Sequence, residues 1–160
     1  MIVAFSALLI SLITAGVSVY SAYVDRSYAR ASVWPRLEWH RSFGENNFNY
    51  GVTNSGNGPA LIQYAIVTYQ SKPIKEWRDI PDLPRVSQSH ISSRILSAQI
   101  MINPLSYQGD KADFLLDMDE FIEVELCYCS LYEECWIINK GNDVKSVAQC
   151  EVDPSMAFTQ

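Results

Sequence analysis

From Met1 to Val24 the chain carries no charged side chain, and that run constrains the fold more than anything after it. IVAFSALLISLITAGVSVYSAYV covers 23 residues. As an α-helix rising about 1.5 Å per residue it reaches roughly 35 Å, enough to cross a hydrocarbon core of about 30 Å with some tilt. A stretch apolar all round and terminal suits lipid better than the core of a soluble domain. A cleaved secretory signal fits less well. Ala29-Arg30-Ala31 makes a formal cleavage site, but no Lys or Arg precedes Arg26 and the apolar run is longer than a signal needs. Tyr20, Tyr23 and Tyr28 then mark the interface, where a ring with a polar tip is at home.

The flanking charges set an orientation. Arg26, Arg30, Arg36 and Arg41 follow the helix and none precedes it, so the positive-inside rule predicts a cytoplasmic carboxyl-terminal domain on a single-pass inner (plasma) membrane protein, with a periplasmic domain as the alternative. The net charge of −6 is unevenly laid out: nine Lys or Arg against six Asp or Glu up to residue 94, then three against twelve. A basic half beside the helix fits anionic lipid headgroups, and the acidic half argues against nucleic acid. The expected organisation is a transmembrane helix over 1–24, a basic juxtamembrane connector over 25–33, a β domain over 34–153 and a frayed tail over 154–160.

Beyond Trp34-Pro35 the chain changes period. WPRLEWHRSF is aromatic enough for a first strand, and NFNYGVTN alternates Phe48, Tyr50 and Val52 with Asn47, Asn49, Gly51 and Thr53. NSGNGPA, with Asn54, Gly56, Gly58 and Pro59, supplies the backbone freedom and the fixed φ of a structural turn. ALIQYAIVTYQ reads as a central strand. KPIKEWRDI suggests a short strand holding Ile74 and Trp77, LSAQIMINPL another, and SYQGDKAD a turn. FIEVELCYCSL, a strand from Phe121 through Leu126 and onward, and CWIINK make a late hairpin across LYEE, and GND precedes a last strand-like run, VKSVAQCEV. Seven or eight short strands with little helical periodicity predict an immunoglobulin-like antiparallel β-sandwich after the helix, a mainly β chain.

The apolar helix, the SVWP element at residues 32–35, the strand into TNSGNGPALI at 53–62 and YCSLYEECW at 128–136 together resemble a widespread group of small, uncharacterised bacterial membrane-anchored proteins. The resemblance implies an anchor followed by a β-sandwich domain, and it brings no enzymatic activity with it. The group's pattern does not call for cysteines at 127, 129 and 135.

Those cysteines carry the one chemical question in the chain. Cys127 and Cys129 share a strand face, and the LYEE reversal brings Cys135 back opposite Cys129, with Cys150 on the next strand within reach of Cys127. The favoured reading makes them small core hydrophobes in a reducing cytoplasm; the alternative, for an exported domain, is two disulfides, Cys129–Cys135 and Cys127–Cys150. Zinc is disfavoured, because structural sites pair ligands as C-x2-4-C and residues along a strand face diverge. His40 and His90 stand in no catalytic motif.

The acidic run Asp110, Asp113, Asp117, Asp119, Glu120, Glu123 and Glu125 lacks the spacing of a calcium loop and reads as a solvated sheet face. No phosphate-binding loop, nucleophile elbow or zinc-protease motif occurs. No cofactor and no metal is expected. In the helix, Ala7, Ser11 and Ala15 recur every four residues, and Ser18 and Ala22 continue a similar face of small side chains. Such a face predicts homo-oligomerisation or docking to a membrane protein. The function expected is a non-enzymatic, membrane-anchored interaction or accessory module whose contacts are membrane lipid and a membrane partner; the alternative is an exported, disulfide-stabilised domain binding a ligand or envelope component.

Overall fold

A computed structural model of the chain describes residues 2–160; Met1, the first residue of the expected span, lies outside the described residues. The chain divides at Ser32/Val33 into two units.

The first unit is one helix, α1 (Ile2–Ser32), apolar and long enough to cross a membrane. Its hydroxyls turn back onto their own helix: Ser11 Oγ donates to Ala7 O, Thr14 Oγ1 to Ile10 O and Ser18 Oγ to Thr14 O, each at 2.8 Å. Each of these hydroxyls, which lipid would leave unsatisfied, therefore has a partner four residues back. The helix does not stop at Val24. It continues through Asp25, Arg26 and Arg30 to Ser32, so the expected connector over 25–33 is two further helical turns, for which SYARAS offers no breaker until Pro35.

The second unit is built from β1 (Leu37–Gly44), β2 (Asn47–Asn54), β3 (Ala60–Tyr69), β4 (Lys72–Ile74), β5 (Ser87–Gln88), β6 (Arg94–Leu96), β7 (Met101–Gln108), α2 (Ala112–Asp119), β8 (Ile122–Cys129), β9 (Cys135–Asn139) and β10 (Val144–Val147). One sheet runs β1-β2-β7-β5 and the other β10-β9-β8-β3-β4, with β6 pairing β3, and every pairing is antiparallel. In chain order the first is the A-B-E-D sheet of an immunoglobulin-type Greek key and β9-β8-β3-β4 its G-F-C-C′ sheet, to which β10 adds an edge strand beside β9.

The core between the sheets is strongly aromatic. Phe48, Tyr50 and Val52 of β2 point inward and are wholly buried, as the alternation of NFNYGVTN requires. Tyr50 lies 5.0 Å from Trp39 and 5.7 Å from Trp77, ring centre to ring centre, and Trp77 meets Phe158 at 5.1 Å. Trp77 sits on a single 3-10 turn, Trp77–Asp79, and not on a strand.

Two further expectations fail. The tail is not frayed: Phe158 is 1% exposed, its N–H donates to Ala65 O at 2.8 Å, and Thr159 N–H donates to Lys75 O at 2.9 Å. One large aromatic side chain filling a core site outweighs the polar residues around it. Nor is the acidic run uniformly solvated. It holds α2, and Asp119 at the end of that helix is buried. Glu123 and Glu125 do lie on the outward face of β8.

Candidate functional site

The registers fix which strand ends share a pole of the sandwich. Leu37 pairs with Asn54, Thr53 with Met101, Leu61 with Cys129, and Cys129 with Cys135. The pole where the chain arrives from Ser32 therefore also carries the 54–59 turn, the 97–100 loop, the β8–β9 tip and the segment after β10.

Residues 33–36 are held there by the turn that follows β2. Asn57 N–H and Gly58 N–H donate to Trp34 O at 3.0 and 3.3 Å, and Ser55 N–H donates to Arg36 O at 2.8 Å. Asn54 is the centre of this clamp. Its side chain is wholly buried; Oδ1 accepts from Arg36 N–H and Gly56 N–H at 3.1 Å each, while Nδ2 donates to Gly58 O at 2.8 Å and Leu96 O at 3.0 Å. A buried amide with donor and acceptor both used explains why this position takes Asn and not an apolar residue. Gly56 and Gly58 serve close approach: a Cβ on Gly56 would stand 2.6 Å from Pro35 Cα, and one on Gly58 2.7 Å from Val33 Cα. The predicted structural turn is thus also a socket for the segment that leaves the helix.

Trp34 extends the assembly to the other sheet. Its ring centre lies 6.1 Å from that of Trp136 on β9, which lies 5.7 Å from Tyr128 on β8. The three stretches SVWP, NSGNGPA and YCSLYEECW, far apart in sequence, meet at one pole.

All four cysteines are there too, and they are bonded: Cys127 to Cys150 and Cys129 to Cys135. The reading of the cysteines as core hydrophobes fails on period two. Ile122, Val124, Leu126 and Tyr128 face the core, so Cys127 and Cys129 share the outer face with Glu123 and Glu125. Cys127 is nonetheless fully buried, because the segment ending at Cys150 covers it. The sulfurs of Cys129, Cys135 and Cys150 lie within 4.8 Å of one another, but with no cysteine free they present no thiolate to a metal. A cleft of about 510 Å³ opens beside them, walled by Cys129, Cys135 and Cys150 together with Ser130, Glu133 and Gln149.

A second polar cluster lies toward the opposite pole. Asp119 accepts from Tyr50 Oη at 2.6 Å, from Arg41 Nη1, and from Lys140 Nζ at 3.0 Å. Lys140 Nζ also donates to the Asp119 and Ile122 carbonyls. Burial, then the hydrogen bond to Asp119, pushes the Tyr50 phenol far above its ordinary value. Every group in the cluster already has a partner, which makes it a tie between β1, β2, α2 and the residue after β9. Sequence reading missed it because Asp119 sits in an acidic run; the one signal is that α2 places it beside Leu115 and Met118, both buried.

The expected helix-packing residues Ala7, Ser11, Ala15, Ser18 and Ala22 are all exposed along α1. No protein family, no curated protein and no solved structure matches the chain.

Proposed function

We propose that the protein is a non-enzymatic, membrane-anchored interaction module whose β-sandwich stands in an oxidising compartment outside the cytoplasm. The observation that carries this reading is the pair of disulfides Cys127–Cys150 and Cys129–Cys135. Cytosolic thiol buffers keep such pairs open, whereas exported domains retain them. The arginines after α1 argue the other way, toward a cytoplasmic accessory module. Their weight is small here, because the charge bias governs loops of up to about 60 residues and long domains translocate largely regardless of it; the unit Val33–Gln160 is a long domain.

The interaction role is supported by the pole itself. Of the ten large hydrophobic side chains exposed on Val33–Gln160, six (Trp34, Ile95, Ile100, Met101, Leu131 and Tyr132) stand on the end that carries the clamp and the disulfides. A concentration of exposed apolar side chains on one end of a small domain suits a binding surface better than bare solvent. The test is a carboxyl-terminal fusion to a phosphatase that becomes active only after export. An active fusion supports the reading. An inactive fusion at normal expression puts the sandwich in the cytoplasm and overturns it in favour of the accessory module there.

A further inference from the structure

The two disulfides touch. Cys129 Sγ lies 3.7 Å from Cys150 Sγ, across the gap between one bond and the other. Cys129, Cys135 and Cys150 border the cleft, while Cys127 does not and is 0% exposed. From this cleft a thiol reaches the short-loop bond at either sulfur and the other bond only through Cys150, and the Cys129 sulfur freed by attack at Cys135 already faces that second bond.

We propose that the pair is a disulfide relay that accepts electrons from the dithiol of a partner protein. The partner's thiolate attacks Cys135 Sγ; a mixed disulfide forms, the Cys129–Cys135 bond breaks, and Cys129 leaves as a thiolate. That thiolate attacks Cys150 Sγ, forming Cys129–Cys150 and expelling Cys127 as a thiolate. The partner's second thiolate then attacks its own sulfur in the mixed disulfide and releases Cys135. The partner loses two electrons and two protons and becomes a disulfide; the protein gains them as thiols at Cys127 and Cys135, with one disulfide remaining. Closing the gap from 3.7 Å to a bond needs roughly 1.7 Å of sulfur movement, the scale of a side-chain rotation. Glu133 carries the one formal charge in the wall of the cleft, and a carboxylate does not lower a thiol pKa, so the nucleophile that starts the sequence is the partner's. The outcome is a changed tether: the segment after β10 moves from Cys127 to Cys129, two positions nearer the β8–β9 tip.

This inference rests on the oxidised state that the proposed function needs, and one experiment separates their failures. The full chain in detergent is alkylated without reduction, then, in a parallel sample, treated with one equivalent of dithiothreitol, acid-quenched and alkylated. Chymotrypsin cuts at Tyr128 and Tyr132, so Cys127, Cys129 and Cys135 fall on separate peptides. The relay predicts label on Cys127 and Cys135, loss of the Cys127–Cys150 linked peptide and gain of a Cys129–Cys150 one. In Cys127→Ser/Cys150→Ser protein the label should move to Cys129 and Cys135. Label on Cys129 and Cys135 in the unsubstituted protein, with Cys127–Cys150 intact, overturns the relay alone. Label on all four cysteines before any reduction overturns the relay and the oxidised reading together.

Discussion

Gly58 lies against the backbone of Val33 so closely that a Cβ on the glycine would overlap the Val33 carbonyl and stand 2.7 Å from its Cα. Both sides of this contact are main chain, so no side chain can turn away to make room. Gly58→Ala should cost about 3 kcal/mol, the upper end of overpacking effects, and lower the thermal midpoint of the full chain in detergent by roughly 10 °C. Gly141→Ala is the control. Its Cβ meets only Asn139 Oδ1 at 3.3 Å and Asp143 Oδ2 at 3.5 Å, so the change should stay within about 0.5 kcal/mol. Equal melting of the two variants would mean that the clamp does not hold residues 33–36.

Phe158, two residues from the final Gln160, should behave as a core residue. Phe158→Ala removes a ring packed on Trp77 and should destabilise by about 3 to 5 kcal/mol in denaturant titration. A chain ending at Asp153 should lose at least as much, since it also forfeits the Phe158–Ala65 and Thr159–Lys75 backbone bonds. Stability unchanged by truncation would return these residues to the status of a loose tail.

The disulfides should differ in worth according to the loops they close. Their sequence separations are 23 for Cys127–Cys150 and 6 for Cys129–Cys135. Chain entropy then gives about 3.4 kcal/mol for the longer loop and about 2.2 kcal/mol for the shorter. Paired Cys→Ser substitutions, compared by urea midpoint, test the order; a larger loss from the 129/135 pair would show that native-state packing, and not loop entropy, governs them.

How far the sequence foretold this arrangement depends on the range of the interaction. The long apolar helix, β2, β3 and the Cys129–Cys135 pairing follow from local periodicity, which a single chain displays directly. The outward face of the cysteines was also legible, because Glu123, Glu125, Cys127 and Cys129 alternate with Ile122, Val124, Leu126 and Tyr128. By contrast α2 spans eight residues in an acidic segment, too short for a clear helical period. The burial of Asp119 and Phe158 is decided by partners 69 and 93 residues away, Tyr50 and Ala65, which no window of sequence contains.

Asp119 gives that long-range tie a measurable weight. Its side chain is 6% exposed and bonded to Tyr50, Arg41 and Lys140, whose side chains are 43% and 23% exposed for the two cations. Removing one partner of a fully buried ion pair costs about 3 to 5 kcal/mol, and the half-exposed Arg41 lowers that figure, so Asp119→Asn should lose about 2 to 3 kcal/mol. If Arg41→Gln alone reproduced the whole loss, the bonds to Tyr50 and Lys140 would carry none of it.

The buried phenols make stability fall on the alkaline side. Burial, then the hydrogen bond to Glu125, pushes Tyr64 from 10.0 up to about 12, and burial raises Tyr128 as well as Tyr50. A phenol with a raised folded pKa binds its proton more tightly in the folded chain. Between pH 10 and 12 the unfolded chain therefore ionises Tyr64 while the folded chain does not, and stability present below pH 10 drains away as the pH rises through that window. Ultraviolet titration of tyrosinate should show these three phenols ionising only as the domain unfolds. Tyr64→Phe should make the decline of the denaturation midpoint between pH 10 and 12 shallower, because one group that drives it is gone. An unchanged slope would mean that Tyr64 ionises in place, with its ring on the surface and Glu125 turned aside.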